Sequence, residues 1–123
     1  MISSASTPAD WAELYRKIVF WENELEKSSD PGMQEILKMQ EIEANSSFCK
    51  FVMKNYLSWL SPGQKSSPLL SQSLFSSKIF PHVTKGQPLF FILIDNMRFD
   101  QWKVISSELA GIYRILEEDI YYS

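Results

Sequence analysis

Two stretches near the start of the chain carry apolar residues at helical spacing. Thr7, Pro8 and Asp10 are typical of a helix start, and they predict a first helix that ends near Lys27. Its apolar stripe consists of Trp11, Leu14, Tyr15, Ile18, Trp21 and Leu25. Because an apolar stripe must be covered, this helix is expected to pack against another element.

A second and longer helical pattern follows a short turn. Asp30 is the expected cap, Pro31 suits the first helical position, and Ser61-Pro62-Gly63 ends the pattern. Its polar middle, residues 40–47, is a candidate bend. The short turn predicts an antiparallel helical hairpin. Two helices cannot cover all of their apolar surface, so we expect a partner surface as well.

The segment after the two helices predicts a connector, a short helix and then a strand. Residues 64–73 are rich in serine and predict a connector, and residues 74–80 predict a short helix stopped by Pro81. Leu89 to Ile94 then form an unbroken run of six apolar residues. Since no polar residue alternates with them, both faces should be covered, as in a central strand of a parallel sheet.

The pattern after this run completes a strand-helix-strand unit. Residues 99–110 predict a helix that packs Trp102, Ile105 and Leu109 on the sheet and stops at Gly111, and residues 112–116 and 120–122 predict strand. The predicted fold class is α/β. A helical bundle and connector (residues 1–87) precede the first strand-helix-strand of a parallel sheet (residues 88–123).

Composition narrows the classes of function. The 123 residues carry a net charge of −3, and the basic residues are scattered, so the chain lacks the electrostatic footprint of nucleic-acid binding. No segment has the length of a membrane span, and the N-terminus does not resemble a signal peptide. The single cysteine, Cys49, excludes an internal disulfide. These features predict a cytoplasmic protein with no membrane contact.

Asp95 is the main candidate for chemistry because it closes the apolar run. In open α/β sheets, ligands bind just beyond the carboxyl ends of strands. A carboxylate is a hard oxygen donor suited to zinc, magnesium or manganese. The alternative is an aspartate that caps the following helix, and the spacing leaves both open.

Three neighbours are candidates for supporting roles. Asn96 either approaches the site or tolerates an unusual backbone angle in a turn. Arg98 has the planar fork that clamps phosphate, or it pairs with a carboxylate such as Asp100. Asp100 is expected in the first turn of the helix, where the helix dipole favours a negative charge. We therefore assign Asn96, Arg98 and Asp100 to phosphate binding or support.

Other site chemistries find little support in the sequence. A second aspartate two positions after Asp95, as in aspartyl-phosphate enzymes, is replaced by Met97, and no glycine-rich phosphate loop is present. His82 is the single histidine, so a catalytic triad or a histidine-rich zinc site cannot be assembled. We expect His82 to be solvated and Cys49 to be a small core or half-exposed residue.

The residues around Asp95 also carry a family resemblance. Residues 94–102, Ile-Asp-Asn-Met-Arg-Phe-Asp-Gln-Trp, resemble the first motif of the PglZ-type branch of the alkaline phosphatase superfamily. Pro8-Ala-Asp-Trp11 and the helices after it resemble the helical bundle that precedes such a module, and Asp119-Ile-Tyr-Tyr-Ser123 resembles the second strand. The chain as a whole is similar to PglZ-containing, PorX-like response regulators of the type IX secretion pathway.

This resemblance implies a signalling protein with a metal-dependent phosphatase or phosphodiesterase domain. It makes Asp95 a ligand of zinc or another divalent metal in the complete domain, which would act on a phosphoester substrate. It places a threonine nucleophile after Ser123, so this chain alone is expected to be inactive and to hold no metal tightly. Metal-dependent phosphodiester hydrolysis that Asp95→Ala abolishes would contradict this.

A second hypothesis treats the chain as a non-enzymatic helical dimerisation or signal-relay module. The expected partners are then a second copy of the chain, forming a homodimer, or the rest of the parent protein. Isolated strands leave reactive edges, which adds to the expectation of self-association.

Overall fold

The computed structural model describes residues 2–28, 30–61, 67–116 and 118–121. The chain forms two compact units, Met1–Ser67 and Pro68–Ser123. The boundary predicted between residues 87 and 88 stays a prediction.

The first unit opens with a single 3-10 turn, Ile2–Ser4, followed by helix α1, Pro8–Glu26. Thr7 caps α1: its Oγ1 accepts a hydrogen bond from the Asp10 backbone N–H at 3.2 Å. The Asp10 carboxylate accepts in return from the Thr7 N–H at 2.9 Å. This reciprocal capping satisfies backbone donors that the helix start leaves without partners, and it confirms the predicted start.

Helix α2 spans Pro31–Trp59 and begins as the sequence predicts. The Asp30 carboxylate accepts hydrogen bonds from the backbone N–H groups of Gly32 and Met33, at 3.0 and 3.3 Å. The polar middle does not break the helix, which runs through it without interruption. At 1.5 Å per residue, a helix of 29 residues is about 43 Å long.

The two helices form an antiparallel hairpin with a small aromatic core. Trp11, near the start of α1, packs against Phe48 and Phe51 of α2, with ring centroids 5.4 and 5.8 Å apart. At the other end, the Gln34 side-chain amide donates to the Leu25 carbonyl at 3.3 Å. Because the start of one helix meets the later half of the other, the predicted antiparallel hairpin is confirmed.

The described part of the second unit is built from short helical pieces joined by irregular chain. Helix α3, Ser71–Leu74, continues into a π-helical turn, Phe75–Ile79, and a 3-10 turn, Phe80–His82. This agrees with the short helix predicted before Pro81. Helix α4, Phe99–Leu109, follows later in the chain and ends one turn residue before Gly111.

The α/β prediction is wrong for the described residues, none of which lies in a strand. Residues 88–94 belong to no helix or strand. Phe90, Ile92 and Leu93 are 84%, 80% and 78% exposed, so the run is not covered on both faces as predicted. Residues 112–116 and 120–121, also predicted as strand, are irregular, and Tyr122 lies outside the described residues.

The physical reason is that a strand is stabilised by its neighbours. A single extended segment gains its backbone hydrogen bonds only when another segment lies about 4.8 Å away. Within the described part of the chain, no such neighbour pairs with residues 89–94. The apolar run therefore stays as an exposed segment, which we call the apolar tract, Leu89–Ile94. An aromatic contact joins Phe91 of this tract to Phe75, with ring centroids 4.9 Å apart.

Helix α4 consequently has no sheet on which to pack among the described residues. Ile105 is exposed, and Trp102 is half-buried and donates a hydrogen bond to Glu118. Across the described ranges, no helix has the length and apolar character needed to cross a membrane.

Candidate functional site

Asp95 and Asn96 form the tight turn between the apolar tract and α4. One carboxylate oxygen of Asp95 accepts a hydrogen bond from the Asn96 backbone N–H at 2.9 Å. Asn96 has a positive φ of 57°, a left-handed conformation that asparagine tolerates better than most residues. Asn96 thus fills the turn role left open by the sequence, and its turn leaves the Asp95 carboxylate exposed to solvent.

Asp95 does not cap α4, which was the alternative to a metal role. The N-cap position is Arg98, whose backbone N–H donates to Oε1 of Gln101 at 3.0 Å. Because an arginine side chain has no acceptor, only this half of a reciprocal cap is chemically possible. The metal-ligand role of Asp95 stays a prediction.

Arg98 and Asp100 form a two-pronged ion pair at the start of α4. Arg98 Nε lies 3.0 Å from Asp100 Oδ1, and the Arg98 Nη2 contacts Asp100 Oδ2. The hydrogen bonds from the Arg98 guanidinium are the largest cause that lowers the pKa of the Asp100 carboxyl. Asp100 also lies in the first turn of α4, as predicted.

Replacing Arg98 should therefore raise the pKa of Asp100. In Arg98→Gln, we expect this pKa to move up toward 3.8, the value of an isolated carboxyl. Because the pKa is lowered in the folded chain, the pair stabilises the fold above pH 3.8, and this contribution is lost as the pH falls through the folded pKa. A carbon-13 NMR titration of the side-chain carboxyl groups measures the pKa of Asp100 in the native chain and in Arg98→Gln.

The matched control for this titration is Lys103→Gln, which removes the same charge from the same helix. Lys103 pairs with Glu118 instead. An equal rise of the Asp100 pKa in both variants would show that long-range charge, rather than the direct pair, sets it.

The predicted site residues lie on one short segment, but they do not form a metal cage. In the described part of the chain, no group of three or more histidine, cysteine, aspartate or glutamate residues is placed to hold a metal ion. Asp95 supplies one oxygen donor, whereas a tight divalent site needs several. The described residues alone therefore do not fit a resident metal.

A polar cluster that sequence reasoning missed ties the end of the chain to α4. Glu118 accepts hydrogen bonds from Trp102 Nε1 at 2.8 Å and from Lys103 Nζ at 2.9 Å. The partners are 15 and 16 residues from Glu118 along the chain, so no local pattern announces the contact. Glu118 lies between residues 112–116 and residues 120–122, the two segments that were predicted as strands.

A second ion pair lies near the same segment. Lys78 Nζ is 3.3 Å from Asp119 and 5.8 Å from the centre of the Tyr121 ring. The Tyr121 hydroxyl donates to Asp119 at 3.2 Å. Burial and then the neighbouring Asp119 carboxylate raise the pKa of Tyr121, so this hydroxyl keeps its proton and remains a donor. This arrangement is typical of a structural contact.

Two further residues, His82 and Cys49, were considered in the sequence as candidates for chemistry. His82 is exposed at the end of its 3-10 turn, as expected. Cys49 is an exposed free thiol on α2, rather than a core residue. Among the described residues, neither belongs to a group of three or more side chains that could hold a metal ion.

A family comparison bears on the first unit. Residues 1–60 match the model of the PorX response regulator linker domain. A search of curated proteins found no match.

The PorX linker match coincides with the helical hairpin. It covers α1 and α2 and ends just after Trp59, so the apolar tract, Asp95 and α4 lie outside it. The similarity therefore supports the PorX-like part of the sequence prediction. The prediction of a PglZ module depends on residues outside this match, those around Asp95 and residues 119–123.

Proposed function

We propose that the chain is the linker, and the beginning of the effector region, of a PorX-like response regulator that controls protein secretion by the type IX pathway in the cytoplasm. The observation that carries this proposal is the match of residues 1–60 to the PorX linker domain. The same residues form a hairpin with its own core, as a separate linker unit requires.

The hairpin is suited to transmit position rather than to act as a loose tether. Trp11, Leu14 and Ala44 are buried together, and Ile18, Phe48 and Phe51 pack around them. Since packed interiors resist deformation, a displacement at one end of α2 is carried along the helix to the other end. The matched family is described as the linker domain of a response regulator, so a hairpin that transmits displacement fits a linker role.

We further propose that the effector is a PglZ-type, metal-dependent phosphodiesterase. Support comes from the resemblance of residues 94–102 and from the exposed carboxylate of Asp95 that follows the apolar tract. Asp95 would supply one ligand to zinc or another divalent ion, which would stabilise charge on a phosphoester. The other ligands must come from outside the described residues, so we derive no catalytic step from this chain.

A linker exchange tests the secretion role. A PorX response regulator whose own linker is replaced by residues 1–60 of this chain should retain protein secretion in a strain that lacks the native regulator. The same chimera carrying Trp11→Asp should lose secretion, because the change buries a carboxylate in the aromatic core. Secretion of a type IX substrate into the medium is the readout.

The control chimera carries Lys17→Asp at an exposed position of the same helix. It should secrete like the parent chimera. A parent chimera that accumulates to normal levels but fails to support secretion would contradict the proposal.

A further inference from the structure

The side of α2 that faces away from the hairpin core carries a second apolar stripe. We define the α2 outer face as six positions that alternate three and four residues apart: Met39, Ile42, Ser46, Cys49, Met53 and Tyr56. Met53, Met39 and Ile42 are 82%, 66% and 64% exposed, and Tyr56 is exposed as well. This spacing is the heptad repeat by which one helix packs along another.

Two flanking residues widen the stripe. Ile36 and Leu57 lie along one edge of the α2 outer face and are 52% and 78% exposed. Single exposed apolar residues are ordinary on protein surfaces. Here they are aligned along most of a long helix whose opposite side already packs in the hairpin, and a helix that is apolar on both sides is normally covered on both.

We propose that the α2 outer face binds the same face of a second copy of the chain, with the two α2 helices antiparallel. The two-fold axis then passes between residues 47 and 48. In this register Ile42 lies against Met53 of the second copy, Met39 against its Tyr56, and Ser46 against its Cys49. The large side chains meet toward the two ends, and the small ones meet at the centre.

Complementary charges favour this register, and they favour a second copy of the chain as the partner that covers the α2 outer face. In an antiparallel pair, the residues that flank the seam on one side face each other. Glu43 then lies beside Lys50 of the second copy, and the two-fold axis repeats this pair. Ile36 lies beside Leu57 of the second copy, also twice. In this arrangement, acidic residues along the edge of the face lie beside basic ones, and apolar residues lie beside apolar ones.

The parallel alternative gives different neighbours. There, Glu43 would lie near Lys38 of the second copy, and Lys50 near its Asn45. A charge exchange between positions 43 and 50 therefore distinguishes the two arrangements. The pairing depends on the hairpin alone, goes beyond the proposed secretion role, and is testable whether or not that role holds.

Sedimentation equilibrium of the full chain over a wide concentration range tests the proposal. We expect a monomer-dimer equilibrium for the native sequence. Met53→Glu should weaken dimerisation by roughly a hundredfold or more, because it buries a charge at a seam contact twice per dimer. Gln40→Glu is the matched control: it places the same side chain at an exposed position of α2 outside the face, and dimerisation should persist.

The charge exchange tests the register. Glu43→Lys should weaken the dimer by roughly tenfold at low salt, since each of two attractive pairs becomes repulsive. Adding Lys50→Glu should restore the native affinity if the helices are antiparallel. In a parallel pair the double variant would leave the lysine introduced at position 43 in repulsion with Lys38 of the second copy, so affinity would stay low.

Association through the exposed apolar tract is the alternative to association through the α2 outer face. Ile92→Asp distinguishes these two modes of association. This variant should dimerise like the native chain. A chain that is monomeric throughout the range, a dimer that Met53→Glu leaves intact, a dimer lost in Ile92→Asp, or a double variant without recovery would each overturn the proposal as stated.

Discussion

Replacing Trp11 by alanine should lower the free energy of unfolding of the hairpin by about 3–5 kcal/mol, the usual cost of removing a large buried aromatic side chain. Trp11 is 6% exposed and touches both Phe48 and Phe51, so its loss opens a cavity in the centre of the small core. Such a loss approaches the whole stability of a small domain. Urea unfolding followed by helical circular dichroism measures it.

Trp11→Phe tests separately how the indole N–H of Trp11 affects stability. The buried indole Nε1–H of Trp11 has no hydrogen-bond partner among the described residues. Leaving such a donor unpaired costs about 1–3 kcal/mol, so its removal offsets part of the volume lost with the smaller ring. We expect Trp11→Phe to unfold within about 1 kcal/mol of the native chain. A phenylalanine variant as unstable as the alanine variant would show that the indole nitrogen is satisfied in solution.

The hairpin was predictable because its signals are local. Thr7 and Asp30 each lie within three residues of the backbone groups that they cap, so the start of each helix can be predicted from the sequence. The apolar stripe of α1 indicates a neighbouring helix. These signals depend on side chains that lie close together along the chain. The sequence therefore predicted where both helices begin and how they pack.

The second unit was not predictable in the same way because its contacts are distant along the chain. Six consecutive apolar residues indicate that a segment avoids water, but they do not supply a hydrogen-bonding neighbour. Likewise, the contacts of Glu118 with Trp102 and Lys103, and of Asp119 with Lys78, join residues 15 to 41 positions apart. The ion pair at the start of α4 was foreseen as an alternative because its two residues are only two positions apart.

The apolar tract provides the test that separates the predicted sheet from the structure. Ile92 is 80% exposed, so Ile92→Asp should change the free energy of unfolding by less than about 0.5 kcal/mol, as is usual for an exposed site. A central strand covered on both faces would instead lose several kcal/mol, because the new carboxylate would be buried without a partner. Urea unfolding of the native chain and of Ile92→Asp measures this difference in the free energy of unfolding.

The same substitution should have a large effect on solubility. An exposed run of six apolar residues without charge or proline is typical of segments that aggregate by pairing of extended chains. A charge at position 92 interrupts the run, so the concentration at which the chain precipitates should rise by roughly an order of magnitude. Gln87→Asp adds the same charge just outside the tract and should change solubility little. If both variants gain equally, net charge rather than the tract limits solubility. If only Ile92→Asp gains while stability is unchanged, the exposed tract itself limits solubility.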